Sequence, residues 1–292
     1  MARRDAEGNW AQEAHLFTGC DLDRDPDGGL QTCERSCFGE GAASYCGGRD
    51  NQSYYESISG GFGASVDIEG TRIVVGAPNQ GQNGDRGAVL VFERVNDQWT
   101  RTARLTATEN SPHLGRQVSV SGDTIMARGD EHMVFFDRGG DGVWREAGRF
   151  AVGPGAAKGS AALDDGVAAI GLFNPDGDPE IGSVLIAERS ADGQWVERQR
   201  LPHPDRWPFE GTPLVRMAQE TIMVGTLGAH FYGRNAAGVW GTFHHDAIRE
   251  NGVFRWVLAF DFDGERVLYR SEHAEGVRFE IFNTTLFEVR CT

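Results

Sequence analysis

Five tryptophans recur in one sequence frame, and this recurrence restricts the fold more than any other feature of the chain. Trp10, Trp99, Trp144, Trp195 and Trp240 are separated by 89, 45, 51 and 45 residues. Each lies two positions after a Gly or Asp (Gly8, Asp97, Gly142, Gly193, Gly238), and the segments that follow alternate polar and apolar residues as far as Leu16, Leu105, Phe150 and Leu201. Period-two alternation is the pattern of a half-buried strand. A second landmark precedes the later tryptophans. Residues 63–70, 115–122 and 159–166 are equally long and read as strands ending in tight Gly turns. Two further short strands fit between the landmarks, as at 71–76 and 88–92. Four short antiparallel strands, repeated every 44 to 52 residues without helical periodicity, are the pattern of propeller blades. A β-sandwich with chance similarity is the competing architecture. Units begin near Phe62, Leu114, Lys158, Glu210 and Arg255, which predicts an all-β, five-bladed β-propeller of four-stranded antiparallel blades.

Composition fits one such domain over residues 1–292. Glycine supplies 40 of 292 residues, about twice the usual share and suited to many turns, while 39% apolar residues are enough for a sizeable core. A net charge of −15 repels phosphate backbones and anionic lipid, so neither nucleic acid nor a membrane surface is an expected partner. No apolar run approaches the roughly 18 residues of a membrane-spanning helix. The opening Met1-Ala2-Arg3-Arg4-Asp5 lacks the apolar stretch of a secretory signal.

The first unit contains Phe62-Gly63, then Gly76-Ala77-Pro78, then 87–92 and Trp99. In this it resembles the FG-GAP repeat of integrin-like β-propellers in its bacterial form. The resemblance runs from residue 62 to about 290 and takes in the Trp10 strand. It implies an extracellular binding or adhesion protein. The later units depart from the motif, with Ala127-Arg128-Gly129, Gly171-Leu172-Phe173 and Gly225-Thr226-Leu227 where Gly-Ala-Pro would stand. Integrin-type repeats often carry an acidic calcium loop between strands. The turns at Glu69-Gly70, Gly122-Asp123 and Asp164-Asp165-Gly166 are too short for one.

Residues 2–10 parallel 187–195 position for position, so the chain opens at the turn between the third and fourth strands of a blade. Phe279–Phe282 reads as a third strand, and no further Trp frame follows it. Pairing residues 9–17 beside 277–282 would supply the missing fourth strand and remove two open edges. The alternative is that 286–290 is the last blade's own outer strand.

Loop lengths separate the two ends of such blades. First-to-second and third-to-fourth turns are short, whereas second-to-third loops and blade connections are long and varied, and function concentrates on loops carried by a rigid scaffold. The long-loop end carries the candidate ligand-face residues His113, His132, Asp176, Asp178, Glu180, His203, Trp207 and His273. Asp176, Asp178 and Glu180 could also be a plain surface turn.

The segment 20–61 is a Cys-rich acidic insertion with one specific motif. Asp23, Asp25, Asp27, Gly28, Leu30 and Glu34 occupy positions 1, 3, 5, 6, 8 and 12 of an EF-hand-type calcium loop. Hard Ca²⁺ takes six to eight oxygens at about 2.4 Å, here from the three Asp carboxylates, the Gly29 carbonyl and a bidentate Glu34. Pro26 at position 4 is unusual, and no amphipathic helix precedes Asp23. A solvated acidic loop is the plain alternative. Cys20, Cys33, Cys37 and Cys46 fall within 27 residues, as expected of two disulfides stapling a segment short of apolar residues, with Cys291 unpaired. Three pairings are possible within the cluster, and a Cys20–Cys291 bridge that leaves one insertion thiol over is the alternative. Zinc is a weaker rival, because Cys33-x3-Cys37 has no second close pair.

No nucleophile elbow, HExxH or phosphate-cradling glycine loop is present, and no catalytic residue is expected. The adjacent His244 and His245 point to opposite faces of a strand. The expectation is a secreted or cell-surface, monomeric, calcium-stabilised adhesion module for a protein or glycan. The alternative is a polysaccharide lyase or glycoside hydrolase with His, Arg and carboxylates around a central funnel.

Overall fold

The computed structural model describes the backbone of every strand named below, and the side chains of residues 61–80, 87–109, 111–152, 160–172, 184–201, 214–218, 220–225, 230–242 and 262. Two compact units result, 1–118 and 119–292. All regular structure among the described residues is strand.

The first unit holds two short hairpins and a four-stranded sheet. β1 (Ala2–Arg4) pairs with β2 (Trp10–Gln12), and β3 (Cys37–Phe38) pairs with β4 (Tyr45–Cys46). The sheet runs in chain order through β5 (Val66–Glu69), β6 (Arg72–Ala77), β7 (Ala88–Val95) and β8 (Gln98–Leu105). Its core is Ile73, Val75, Leu90 and Phe92, with Phe62 edge-on to Phe92 at 6.2 Å.

Apart from the first residues of β9, the second unit repeats the same sheet three times, each with strands in sequential, up-and-down order. The sheets comprise β9 (Gln117–Ser121), β10 (Thr124–Arg128), β11 (His132–Arg138) and β12 (Trp144–Ala151); β13 (Ala161–Asp164), β14 (Val167–Gly171), β15 (Val184–Arg189) and β16 (Trp195–Leu201); and β17 (Leu214–Ala218), β18 (Thr221–Gly225), β19 (Ala229–Arg234) and β20 (Trp240–Asp246). A hairpin of β21 (Arg249–Glu250) and β22 (Val253–Phe254) follows. The chain then forms a three-stranded sheet of β23 (Val257–Phe262), β24 (Arg266–His273) and β25 (Gly276–Asn283).

Within the second unit the sheets stack face to face. First strands touch in succession, β13 against β17 and β17 against β23, while the outer strand β16 touches both β12 and β20. Met126, Met133 and Phe135 pack against Ile170, Leu185 and Trp195 of the next sheet. The opposite face of that sheet, with Ala169, Ile186 and Leu201, packs against Val215, Val224 and Tyr232 of the one after. Burial on both faces explains why central strands such as β14 read Val-Ala-Ala-Ile-Gly, a continuous small or apolar run, whereas the outer strands keep a polar alternation.

The Trp frame builds the same corner into each four-stranded sheet. Arg138, Arg189 and Arg234 end their third strands and Arg94 stands one residue before the end of β7, directly opposite Trp144, Trp195, Trp240 and Trp99 respectively. Each third-to-fourth ladder then slips its register at the same place, between the third and second residues before the Arg. A bulge recurring at one position adds the same local twist to each sheet. Arg189 and Arg234 lie over their Trp rings at 5.0 and 5.1 Å, and their guanidiniums reach Asp137 and Glu188 on the preceding sheet. The hairpin β1–β2 has the same register, Arg4 opposite Trp10, as the parallel between 2–10 and 187–195 predicts.

Two expectations shift in detail. The third inner turn is offset by one residue, because Gly122 takes the first place of the two-residue turn before β10 whereas Gly166 takes the second place before β14. The expected closing strand appears as Trp10–Gln12, paired with β1; β25 is paired with β24.

Candidate functional site

The Phe-Gly and Gly-Ala-Pro residues are explained by backbone crowding. The Gly63 N–H donates to the Gly76 carbonyl at 3.0 Å, and the Gly76 N–H to the Ser65 carbonyl at 2.8 Å, so the start of the unit is fastened to the end of β6. The connection leaving β8 then threads past β6 and β7, where Leu114 bridges Gly87 in parallel. A Cβ on Gly76 would stand 1.9 Å from the Gly115 carbonyl oxygen, and one on Gly115, at φ +98°, would stand 2.5 Å from that of Ala88. Only hydrogen fits there. These motif residues hold backbone to backbone and supply no chemistry of their own.

A serine performs the equivalent fastening between first strands. The Val118 N–H donates to Ser65 Oγ at 3.0 Å, and the Val215 N–H donates to Ser160 Oγ.

The two ends of the second-unit sheets differ in chemistry. At the third-to-fourth turns, the polar groups are consumed in closing the turn. The Gly193 N–H donates to the Ser190 carbonyl at 2.9 Å and the Ser190 N–H to that of Gln194 at 2.8 Å, with the same pattern at 139–143 and 235–239. This is a type I turn closed by a left-handed residue, which Gly142, Gly193 and Gly238 supply. The Arg145 guanidinium bonds both Asp141 oxygens, at 3.0 and 2.7 Å, and with the Val143 N–H holds that carboxyl well below the usual range. The Ser190 hydroxyl, ahead of backbone N–H groups, lowers Asp192 in the same way.

Three of the candidate ligand residues fall in described strands or connections. His132 opens β11 half-buried, at the second-to-third corner, where the Gly129 N–H donates to its carbonyl at 2.8 Å. His113 lies in the β8-to-β9 connection at φ +56°, with its carbonyl accepting from Arg116 at 3.2 Å. His273 ends β24 paired with Gly276, which is again a second-to-third corner. Asp176, Asp178 and Glu180 fall between β14 and β15, and His203 and Trp207 between β16 and β17; all five lie outside the described residues. Topology therefore assigns every candidate to a second-to-third loop or a sheet connection.

One residue at this end escaped sequence reasoning. Arg128 ends β10 at the register position that Gly76 takes in the first sheet; it is fully buried, and its Nη1 donates to the Gly171 carbonyl of the next sheet at 3.4 Å. Burial pushes its pKa down to about 10. The signal was available as the departure Ala127-Arg128-Gly129 from Gly-Ala-Pro. With Asp130, Glu131 and His132 it forms a corner that is charged and hydrogen-bonding, unlike the small apolar corner of the first sheet.

Among the described residues no three His, Cys, Asp or Glu side chains gather as a metal site. The calcium set Asp23, Asp25, Asp27, Gly29 and Glu34 lies outside the described residues, as do Cys20, Cys33 and Cys291. No helix among the described residues is long and apolar enough to cross a membrane.

A comparison with curated proteins gives no match. A comparison with protein families matches residues 59–92, the stretch containing Phe62-Gly63, β5, β6 with Gly76-Ala77-Pro78, and the first part of β7. The family matched is the FG-GAP repeat, so the likeness covers the first two strands of the first sheet and part of its third.

Proposed function

We propose that the protein is an extracellular, calcium-stabilised β-propeller that binds a protein or glycan partner through the end carrying its second-to-third loops. The observation that supports this most is an FG-GAP repeat heading a series of up-and-down sheets with one repeated corner. The chemical asymmetry of the sheet ends indicates which end binds. Turns that close on their own polar groups have little left to offer a partner. The other end presents His132 beside Glu131 and Asp130, and the long segments containing Asp176, Asp178, Glu180, His203 and Trp207.

In this reading the sheets are five blades, and residues 9–17 complete the last of them beside β25. The insertion 20–61 folds around Ca²⁺ held by Asp23, Asp25, Asp27, the Gly29 carbonyl and Glu34, and two disulfides secure it.

A glycan array probed with the full chain, beside polysaccharide lyase and hydrolase assays, tests the binding role. Binding without turnover is expected. His132→Ala should weaken binding about tenfold, near 1.4 kcal/mol, whereas Asp141→Ala at the opposite end should leave it unchanged. Turnover of a polysaccharide would overturn the binding role in favour of an enzyme, and equal loss from both variants would overturn the choice of end.

A further inference from the structure

The cysteine spacing leaves three disulfide pairings open, and the backbone register of the β3–β4 hairpin separates them. Cys37 stands directly opposite Cys46, and Phe38 opposite Tyr45. Directly opposed residues on antiparallel strands have Cα atoms about 4.5 Å apart at non-hydrogen-bonded positions and about 5.5 Å apart at hydrogen-bonded ones. A disulfide needs roughly 4.4 to 6.8 Å. Either kind of position falls inside that window, so the juxtaposition alone brings this pair within reach.

We propose that Cys37 and Cys46 form a disulfide across the β3–β4 hairpin. The bond forms when the two thiols give up two electrons and two protons to a protein or small-molecule disulfide, which leaves as two thiols after exchange through a mixed disulfide. Persistence of the bond outside the cell rests on the extracellular reading above, whereas the pairing itself does not.

Accordingly, the test uses the purified full chain equilibrated in a buffer of reduced and oxidised glutathione, alkylated, and digested with trypsin without reduction. Cys37 and Cys46 share the tryptic peptide 36–49, while Cys20 lies in 5–24 and Cys33 in 25–35. The expected result is peptide 36–49 unalkylated and lighter by two hydrogens. Joining of 36–49 to 5–24, to 25–35 or to the C-terminal peptide 291–292 would overturn the proposal, as would alkylation at Cys37 or Cys46. In Cys46→Ser, Cys37 should become alkylated, and a Cys37 that stays unalkylated in the variant would count against the pairing. A chain whose Cys37–Cys46 bond forms in this buffer but which works inside the cell would count against the extracellular reading alone.

Discussion

At the scale of single residues, the repeat is held by what cannot be added as much as by what is buried. Gly76→Ala would drive a methyl into the Gly115 carbonyl, a backbone atom with no freedom to rotate away. The substitution should cost at least about 2 kcal/mol in chemical denaturation, toward the upper range for overpacking. Gly140→Ala, where nothing lies within 4 Å, should change stability by less than about 0.5 kcal/mol. Phe135 makes the complementary case. It is wholly buried, stacked on Trp195 with centroids 4.0 Å apart and edge-on to Phe150 at 6.0 Å, so Phe135→Ala should cost about 3 to 5 kcal/mol by the same measurement. The motif residues of the FG-GAP repeat belong to this level. They explain how backbones approach closely, and for that reason they give no information about a ligand.

Strands and turns were the most legible level, and the fastening between them was not. The Trp frame located the outer strands because its Gly or Asp sets the turn and its alternation sets the exposed face. The bulge before Arg94, Arg138, Arg189 and Arg234 left no such mark, since a register slip changes no residue type. Ser65 and Ser160 were equally silent: a serine within two residues of a glycine reads as turn, and only the geometry makes it the acceptor for an N–H on the next first strand. Ser160→Ala should leave the wholly buried Val215 with an unsatisfied N–H and cost about 1 to 2 kcal/mol, checked by thermal unfolding. Ser160→Thr should restore most of the loss. The β21–β22 hairpin was missed although its signal was present, because the two residues between Glu250 and Val253 are Asn251-Gly252, a strong two-residue hairpin sequence. Arg128 was missed for the reverse reason. A charged residue at a strand end reads as surface, and the stacking of a second sheet against it is a tertiary fact.

At the largest scale, repetition explains how the second unit packs. Its β13–β16 sheet buries one face against the sheet before it and the other against the sheet after it, so the two interfaces are alike in kind. Counting strands puts the proposed ligand residues His132 and His273 at second-to-third corners and His113 in a sheet connection, but the proposed chemistry depends on segments the repeat does not dictate. The calcium motif is the feature that ties the account to one chemical species. Three or four carboxylates around one point repel each other in a chain already carrying −15, so the insertion should need the cation to close. The most direct measurement is calorimetric unfolding of the full chain in chelator and in Ca²⁺, for the wild type and for Glu34→Gln. Calcium at about a hundredfold excess over its Kd should stabilise the wild type by about 2.7 kcal/mol, with Kd near the roughly millimolar affinity of extracellular modules. Glu34→Gln should lose most of that shift, while Asp176→Asn should keep it. Identical transitions in chelator and in excess Ca²⁺ would contradict the account.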